Sequence, residues 1–158
     1  MPKHIAALPL ALALGALGWS VALAGDKPLP PLKTQSSAEA VVAEHLDALN
    51  KCDWNRLMAQ YPTDAQIHLP DGVVVIGRDK IGELYAGFVK PRAERGLCGI
   101  KFTAEKSFTV GDTINVQWRA DADFLKEPYC GSDAYEAKDG LMYAQVTTFK
   151  GDDLKFKP

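Results

Sequence analysis

The chain has 158 residues, of which 47% are hydrophobic and 24% are charged, and its formal net charge is −2. This length predicts a single domain, and the composition is typical of a soluble globular protein and excludes a wholly disordered chain. The 18 basic and 20 acidic side chains form no basic stripe, which excludes a nucleic-acid binder that acts by neutralising phosphates.

The first 24 residues have the pattern of a secretory signal peptide. Lys3 and His4 precede an apolar run over residues 5–20, and Ala22-Leu23-Ala24 has the small-x-small pattern of a signal peptidase site. An uncleaved anchor is the alternative, although a run of about 16 residues is short for a membrane span. We therefore expect cleavage after Ala24, a periplasmic or secreted product, and no stable membrane anchor.

Residues 25–35 contain three prolines and predict an extended linker that lies outside the core. A single domain over residues 36–158 follows. Its first half shows three segments with helical spacing of apolar residues, and their predicted N-caps are Ser36 or Ser37, Asp53 and Asp79. The second of these helices is expected over residues 54–61.

Two short segments with strand patterns lie between the second and third helices, and the chain after residue 100 shows strand patterns alone. Two short strands are predicted at 65–69 and 73–76, and longer ones at 100–110, 113–124 and 134–149, the last of which Asp139-Gly140 can interrupt. A short strand is predicted at 154–156 and a loop at 125–132. This order predicts an α+β fold in which three helices pack in a strongly curved mixed or antiparallel sheet. A cone that the helices cannot fill would be a natural pocket.

The stretch from Val42 to Tyr85 resembles the nuclear transport factor 2-like superfamily and, within it, the SnoaL-like group. The matching residues are Leu46-Asp47-Ala48-Leu49-Asn50, Asp53, Leu57, Tyr61, Asp64-Ala65-x-Ile67, Pro70-Asp71-Gly72, Gly77-Arg78 and Ile81. The resemblance implies a cone-shaped α+β domain. Members of this superfamily include isomerases, cyclases, dehydratases, hydrolases and domains without catalysis, so the fold alone assigns no chemistry.

The ketosteroid isomerase of this superfamily uses a Tyr donor on the first helix, an Asp base on the first strand and a protonated Asp on a late strand. The resemblance places these positions on His45, Leu69 and Gln145. Because leucine accepts no proton, the resemblance implies that this route of enolisation is closed. The SnoaL cyclases use an acid on the later strands, for which Asp121 and Asp123 are candidates. Strand alternation turns both toward solvent or a partner subunit, and the alternative is that a bulge in the strand reverses this.

We expect the pocket to be lined by His45, Tyr61, Leu69, Val116, Trp118, Tyr143 and Gln145. His45 is either a partly buried histidine bonded to a neighbour or an acid–base group at the pocket floor. Tyr143, Gln145 and Thr147 share one strand face, and the alternative is that Met142, Ala144 and Val146 pack inward instead. His68 is expected on the outer face, so no metal site is predicted, and no cofactor motif is present.

Three cysteines in an exported protein predict one disulfide and one remaining thiol. Cys98 and Cys130 flank the predicted hairpin about Gly111 and should emerge at the same end. They are therefore the predicted pair, and Cys52 is the predicted free thiol.

The leading functional hypothesis is an exported domain that holds a small hydrophobic molecule without a recognisable catalytic dyad or a cofactor. One alternative is a lyase, isomerase or hydrolase with His45 as the candidate catalytic residue. The other is an interaction module that forms a homodimer through the outer sheet face bearing Gln117, Arg119 and Asp121.

Overall fold

A computed structural model of the chain describes residues 27–158, and the predicted signal peptide lies outside the described residues. The helices of this part are α1 (Ala38–Asn50), α2 (Trp54–Met58) and α3 (Arg78–Phe88). The strands are β1 (Gln66–His68), β2 (Val74–Ile76), β3 (Lys101–Val110), β4 (Thr113–Asp121), β5 (Tyr129–Lys138) and β6 (Leu141–Thr148).

Two of the three predicted helix caps are confirmed. The Ser37 side chain accepts a hydrogen bond from the backbone N–H of Ala40, and the Asp53 side chain accepts one from that of Arg56. The third prediction is wrong, because Gly77, at φ 94°, begins α3. Asp79 lies instead in the first turn of α3, where a negative charge is favoured by the helix dipole.

The six strands form one mixed sheet in the order β2-β1-β6-β5-β4-β3. Every neighbouring pair is antiparallel except β1 and β6, which run parallel. The predicted α+β class is therefore confirmed. Asp139 and Gly140, both with positive φ, form the turn that separates β5 from β6, so the long strand predicted at 134–149 is two strands.

Strand β5 begins earlier than predicted, and this changes which side chains enter the core. The predicted loop at 125–132 is wrong at its end, since β5 starts at Tyr129, and β4 ends at Asp121 instead of residue 124. Near the C-terminus, residues 154–156 form only an isolated bridge between Phe156 and Leu125.

The helices fill the concave face of the sheet. Fully buried residues from the helical half include Val41, Leu57, Met58 and Ile81, and those from the sheet include Ile67, Val116, Tyr135 and Met142. Shifts of register occur in the β3–β4 pairing and in the β5–β6 pairing, and such bulges bend and twist strands. No helix of residues 27–158 is long and apolar enough to cross a membrane.

The Pro-rich residues 27–35 run along the helices and contact them. The backbone N–H of Lys33 donates to the carbonyl of Ala59 at 2.8 Å, and the Arg78 guanidinium donates to the carbonyls of both Pro30 and Met58. Leu29 packs against the hydrophobic core. Because prolines lack N–H groups, the segment is held mainly through the carbonyls and amides that remain.

The structure joins Cys52 to Cys98, with 5.7 Å between their Cα atoms, so the predicted Cys98–Cys130 pair is wrong. The segment before β3 runs past the C-terminal end of α1, which brings these two cysteines together. Cys130 lies within β5 opposite Arg119, on the outer face of the sheet, and is an exposed free thiol. The prediction failed because the hairpin argument took Cys130 to lie in a loop.

We expect the Cys52→Ser/Cys98→Ser variant to lose about 3–4 kcal/mol of unfolding free energy in urea titrations, since the bond closes a loop of 46 residues. Cys130→Ser is the matched control and should leave the unfolding free energy nearly unchanged. Peptide mapping without reduction should recover a Cys52–Cys98 peptide; recovery of a Cys98–Cys130 peptide would contradict the assignment.

Candidate functional site

Four polar side chains from all three helical regions and from the sheet meet on the concave face. The hydroxyls of Tyr61 and Tyr85 lie 2.9 Å apart, and each lies within donating distance of Gln145 Oε1, at 3.1 and 3.0 Å. Nδ1 of His45 lies 3.4 Å from the Tyr61 hydroxyl. His45 is on α1, Tyr85 on α3 and Gln145 on β6, so this cluster ties the helices to the sheet.

Gln145 also connects the two tyrosines to a buried carboxyl group. Its Nε2 donates to Asp133 Oδ2 at 3.3 Å, and the Tyr135 hydroxyl donates to the same oxygen at 2.7 Å. The β5–β6 register explains the grouping, because Asp133 pairs with Thr147 and Tyr135 pairs with Gln145. Alternation along both strands therefore turns all four side chains to the concave face.

Burial sets the protonation states in this cluster. Loss of hydration lowers the pKa of His45 from 6.5 to about 3, so its imidazole is neutral at neutral pH. Burial likewise raises the pKa of Asp133, against the opposing influence of the nearby polar side chains of Thr147, Tyr135, Trp118 and Gln145. The environment thus favours a neutral Asp133 more than water does.

Three buried polar atoms at the site have no hydrogen-bond partner among residues 27–158: His45 Nε2, Trp118 Nε1 and Asp133 Oδ1. Such atoms cost roughly 1–3 kcal/mol each and are uncommon in native interiors. Since Asp133 Oδ2 already accepts two hydrogen bonds, the proton of a neutral Asp133 belongs on Oδ1. The acid O–H and the Trp118 N–H are then two free donors on one face of the sheet.

A chain of aromatic rings leads from this polar cluster to the surface. Neighbouring ring centroids lie 5.5 to 6.3 Å apart along Tyr85, Phe88, Phe102, Trp118, Tyr129 and Phe149. Trp118 lies flat against Gly131, where an added Cβ would fall 2.3 Å from the indole. Phe88, Phe102 and Phe149 are half-buried, so the rim around Asp133 is apolar.

The expected hollow is closed around the polar cluster. His45, Tyr61 and Tyr135 each have 0% exposed surface. Two clefts of the described residues lie elsewhere: one of about 200 Å³ beside Lys33 and Arg56, and one of about 390 Å³ beside Lys101 and Lys126. A ligand of the cluster must therefore enter by displacing side chains of the rim.

The structure brings together His45, Tyr61 and Gln145 of the seven predicted pocket residues. Val116 and Trp118 are also buried on the concave face. Leu69 is half-buried and packs against the core beyond the end of β1. Tyr143 does not join the cluster: the register shift leaves it between the paired residues of β6, half-buried, with Lys138 Nζ 5.5 Å from its ring centroid.

Sequence reasoning missed Asp133, Tyr135 and Tyr85. Asp133 fell between the loop predicted at 125–132 and the strand predicted at 134–149, and the late start of that strand hid the alternation of Tyr129, Asp133, Tyr135 and Ala137 on one face. Asp133 thus places inside the cone a carboxyl group that was not among the predicted pocket residues. Asp121 lies on the outer face of the sheet, as predicted, and accepts a hydrogen bond from Arg119.

Comparison with known proteins identifies the architecture. Residues 42–153 match the family model of the SnoaL-like domain. An NTF2-like protein of unknown function from Cytophaga hutchinsonii is similar in structure, with a TM-score of 0.59 and 16% identity over 77% of this chain and 96% of that one. No curated protein sequence matches the chain.

Two further solved structures share the fold. A computationally designed 17-OHP binder has a TM-score of 0.61 and 20% identity, and the match covers 78% of this chain and 98% of that one. A protein with a ketosteroid isomerase-like fold from Catenulispora acidiphila, in complex with trimethylamine, has a TM-score of 0.56 and 14% identity over 72% and 88% of the two chains. At these identities the likeness shows the fold alone.

Because the pKa of His45 is lowered, we expect the free energy of unfolding to decrease as the pH falls. Unfolded histidine binds a proton below pH 6.5 that folded His45 does not bind until about pH 3, so the unfolding free energy decreases as the pH falls through this window. Between pH 7 and pH 5, His45→Gln should reduce this decrease by about 2 kcal/mol in urea titrations. His68→Gln, on β1, is the matched control; equal pH dependence of His45→Gln and wild type would contradict the assignment.

Proposed function

The chain belongs to the SnoaL-like family, and from that premise we propose that its cone binds a small, largely apolar molecule that carries a carbonyl or similar acceptor group. The observation that carries this proposal is the pair of unpartnered polar groups on the concave face, Asp133 Oδ1 and Trp118 Nε1. A neutral Asp133 and the indole both donate, so a ligand oxygen placed between them would satisfy both groups.

The surroundings of these donors fit an apolar ligand body. Phe88, Phe102 and Phe149 form a half-buried aromatic rim, and aromatic side chains bury large apolar areas. The designed relative is described as a binder of 17-OHP, which agrees with ligand binding by this fold. An exported location is part of the proposal, and a disulfide accords with an oxidising compartment.

A second candidate function is acid–base catalysis on the same ligand, as a lyase, isomerase or hydrolase. Asp133 is a better candidate than His45 for the proton-transferring group. Its raised pKa lies closer to neutral pH, whereas the pKa of His45, lowered to about 3, leaves the imidazole a weak base. Asp133 also has one free oxygen, Oδ1, with which to give or take a proton.

Two substitutions at one position separate binding from catalysis. Asparagine can accept from Tyr135 and Gln145 with its oxygen and donate to a ligand with its amide, so Asp133→Asn should retain ligand binding and lose proton transfer. Asp133→Leu supplies no donor at this position and should lose both proton transfer and the hydrogen bond from this residue to the ligand. We expect 2-acetylnaphthalene to bind wild type and Asp133→Asn about tenfold more tightly than 2-ethylnaphthalene, by fluorescence titration, since one hydrogen bond contributes about 1–1.5 kcal/mol.

In Asp133→Leu this preference for the ketone should disappear. Asp121→Asn is the matched control, because Asp121 is half-exposed on the outer face and should leave both affinities unchanged. Equal affinity of wild type for the ketone and the hydrocarbon would exclude the proposed donor pair. If wild type bound neither compound, the proposal that the cone binds an apolar ligand would be contradicted.

The outer face of the sheet supports the further proposal of a homodimer. One register row crosses all six strands through Val74, His68, Val146, Ala134, Asn115 and Phe108. Val146 is 46% exposed and Phe108 is 57% exposed, with Ile76 and Val110 nearby on the edge strands also exposed. Several exposed large apolar side chains on one sheet face, interrupted only by His68 and Asn115 along this row, are compatible with an interface.

Val146→Lys should shift the protein from dimer to monomer in sedimentation velocity at micromolar concentration, because it places a charge at the centre of the row. Val73→Lys is the matched control; Val73 is 50% exposed but lies in the turn before β2. A wild-type chain that sediments as a monomer under the same conditions would contradict the proposal.

A further inference from the structure

The loop between α3 and β3, residues 89–100, carries at its two ends the rings that cover the candidate site; we call it the entrance loop. Phe88, just before it, lies 6.3 Å from Tyr85 and 6.0 Å from Phe102 by ring centroids. Phe102, just after it, lies 5.5 Å from Trp118, edge to face. Phe88 is the last residue of α3 and Phe102 the second of β3, so the entrance loop joins the two element ends whose rings screen Trp118 from solvent.

The entrance loop is attached to the segment after α1 by one disulfide, and Phe102, the second residue of β3, is attached to Asn50 at the end of α1 by two hydrogen bonds. Cys98 is bonded to Cys52, two residues after α1 ends. Asn50 donates from Nδ2 to the carbonyl of Phe102 at 2.9 Å and accepts at Oδ1 from the N–H of Phe102 at 2.7 Å. These contacts hold the covering ring of Phe102 in place over Trp118.

Within the loop itself the packing against the core is slight. Its residues 91–95 are exposed, Leu97 is half-buried, and only Gly96 and Ile100 are buried. Internal backbone hydrogen bonds, such as that from the N–H of Leu97 to the carbonyl of Phe88 at 2.9 Å, shape the loop but do not tie it to α1. The attachment of the loop itself to α1 therefore depends on the disulfide.

We propose that the Cys52–Cys98 disulfide holds the entrance loop closed, so that access to the candidate site is controlled by the redox state of this bond. This proposal rests on the proposed function, because it concerns entry to the same site. Both cysteines are half-exposed, so a small dithiol can reach them. The dithiol is oxidised to its own disulfide, and Cys52 and Cys98 each receive one electron and one proton and become thiols.

The test measures solvent access to Trp118 directly and needs no ligand. In a Trp19→Phe/Trp54→Phe/Cys130→Ser variant, Trp118 is the sole indole and Cys52–Cys98 the sole cysteine pair. We expect the acrylamide quenching constant of Trp118 to rise about two- to fivefold when dithiothreitol is added, while far-UV circular dichroism and cooperative urea unfolding are retained. An unchanged quenching constant in the reduced, folded protein would overturn the proposal, and so would a rise that appears only with loss of cooperative unfolding.

Asn50→Ala in the same background separates the disulfide from the hydrogen bonds. With the disulfide intact, the quenching constant should stay at the oxidised value, since the covalent bond still fastens the loop. A constant as high in oxidised Asn50→Ala as in the reduced parent would show that Asn50 holds the loop, and would overturn the role given to the disulfide. Because no ligand is present, these outcomes are independent of whether the donor pair at Asp133 binds a ketone.

Discussion

The interior of this cone is organised around the burial of one carboxyl group. Asp133 is only 8% exposed, and removing it from water raises its pKa against the hydrogen bonds that Tyr135 and Gln145 donate to Oδ2. Because the folded pKa is raised, the folded state holds this proton at pH values where the unfolded chain has released it. At pH values above that range, ionised Asp133 lowers the free energy of unfolding. A buried residue that reduces stability in this way is typical of a functional site.

The fold supplies this environment through strand register and helix packing. The β5–β6 pairing sets Asp133 beside Thr147 and Tyr135 beside Gln145, and Gln145 then bonds to tyrosines from the helical half. The hydrogen bonds from Tyr61 and Tyr85 to Gln145 thus join the helical half to the sheet. The remaining free atoms, on Asp133, Trp118 and His45, face an interior that excludes water and has an aromatic rim, and the proposed ligand chemistry follows from these features.

Much of the architecture could be predicted from the sequence, because helix spacing and strand alternation report burial directly. The caps at Ser37 and Asp53, the α+β class and the SnoaL-like membership were all readable. The candidate site was harder to predict from the sequence. A loop assignment that extended four residues too far hid Asp133 and misplaced Cys130, and Tyr143 was assigned to the cluster because alternation cannot reveal a register shift.

The ionisation of Asp133 tests the account most directly. Carbon-13 NMR of the side-chain carboxyl, assigned by comparison with Asp133→Asn, would follow its titration in the folded protein. We expect a midpoint above the ordinary value of 3.8, together with a carboxyl signal of the protonated form at pH values where surface aspartates are ionised. A midpoint at or below 3.8 would show that the hydrogen bonds outweigh desolvation, and would contradict the neutral acid on which the proposed site depends.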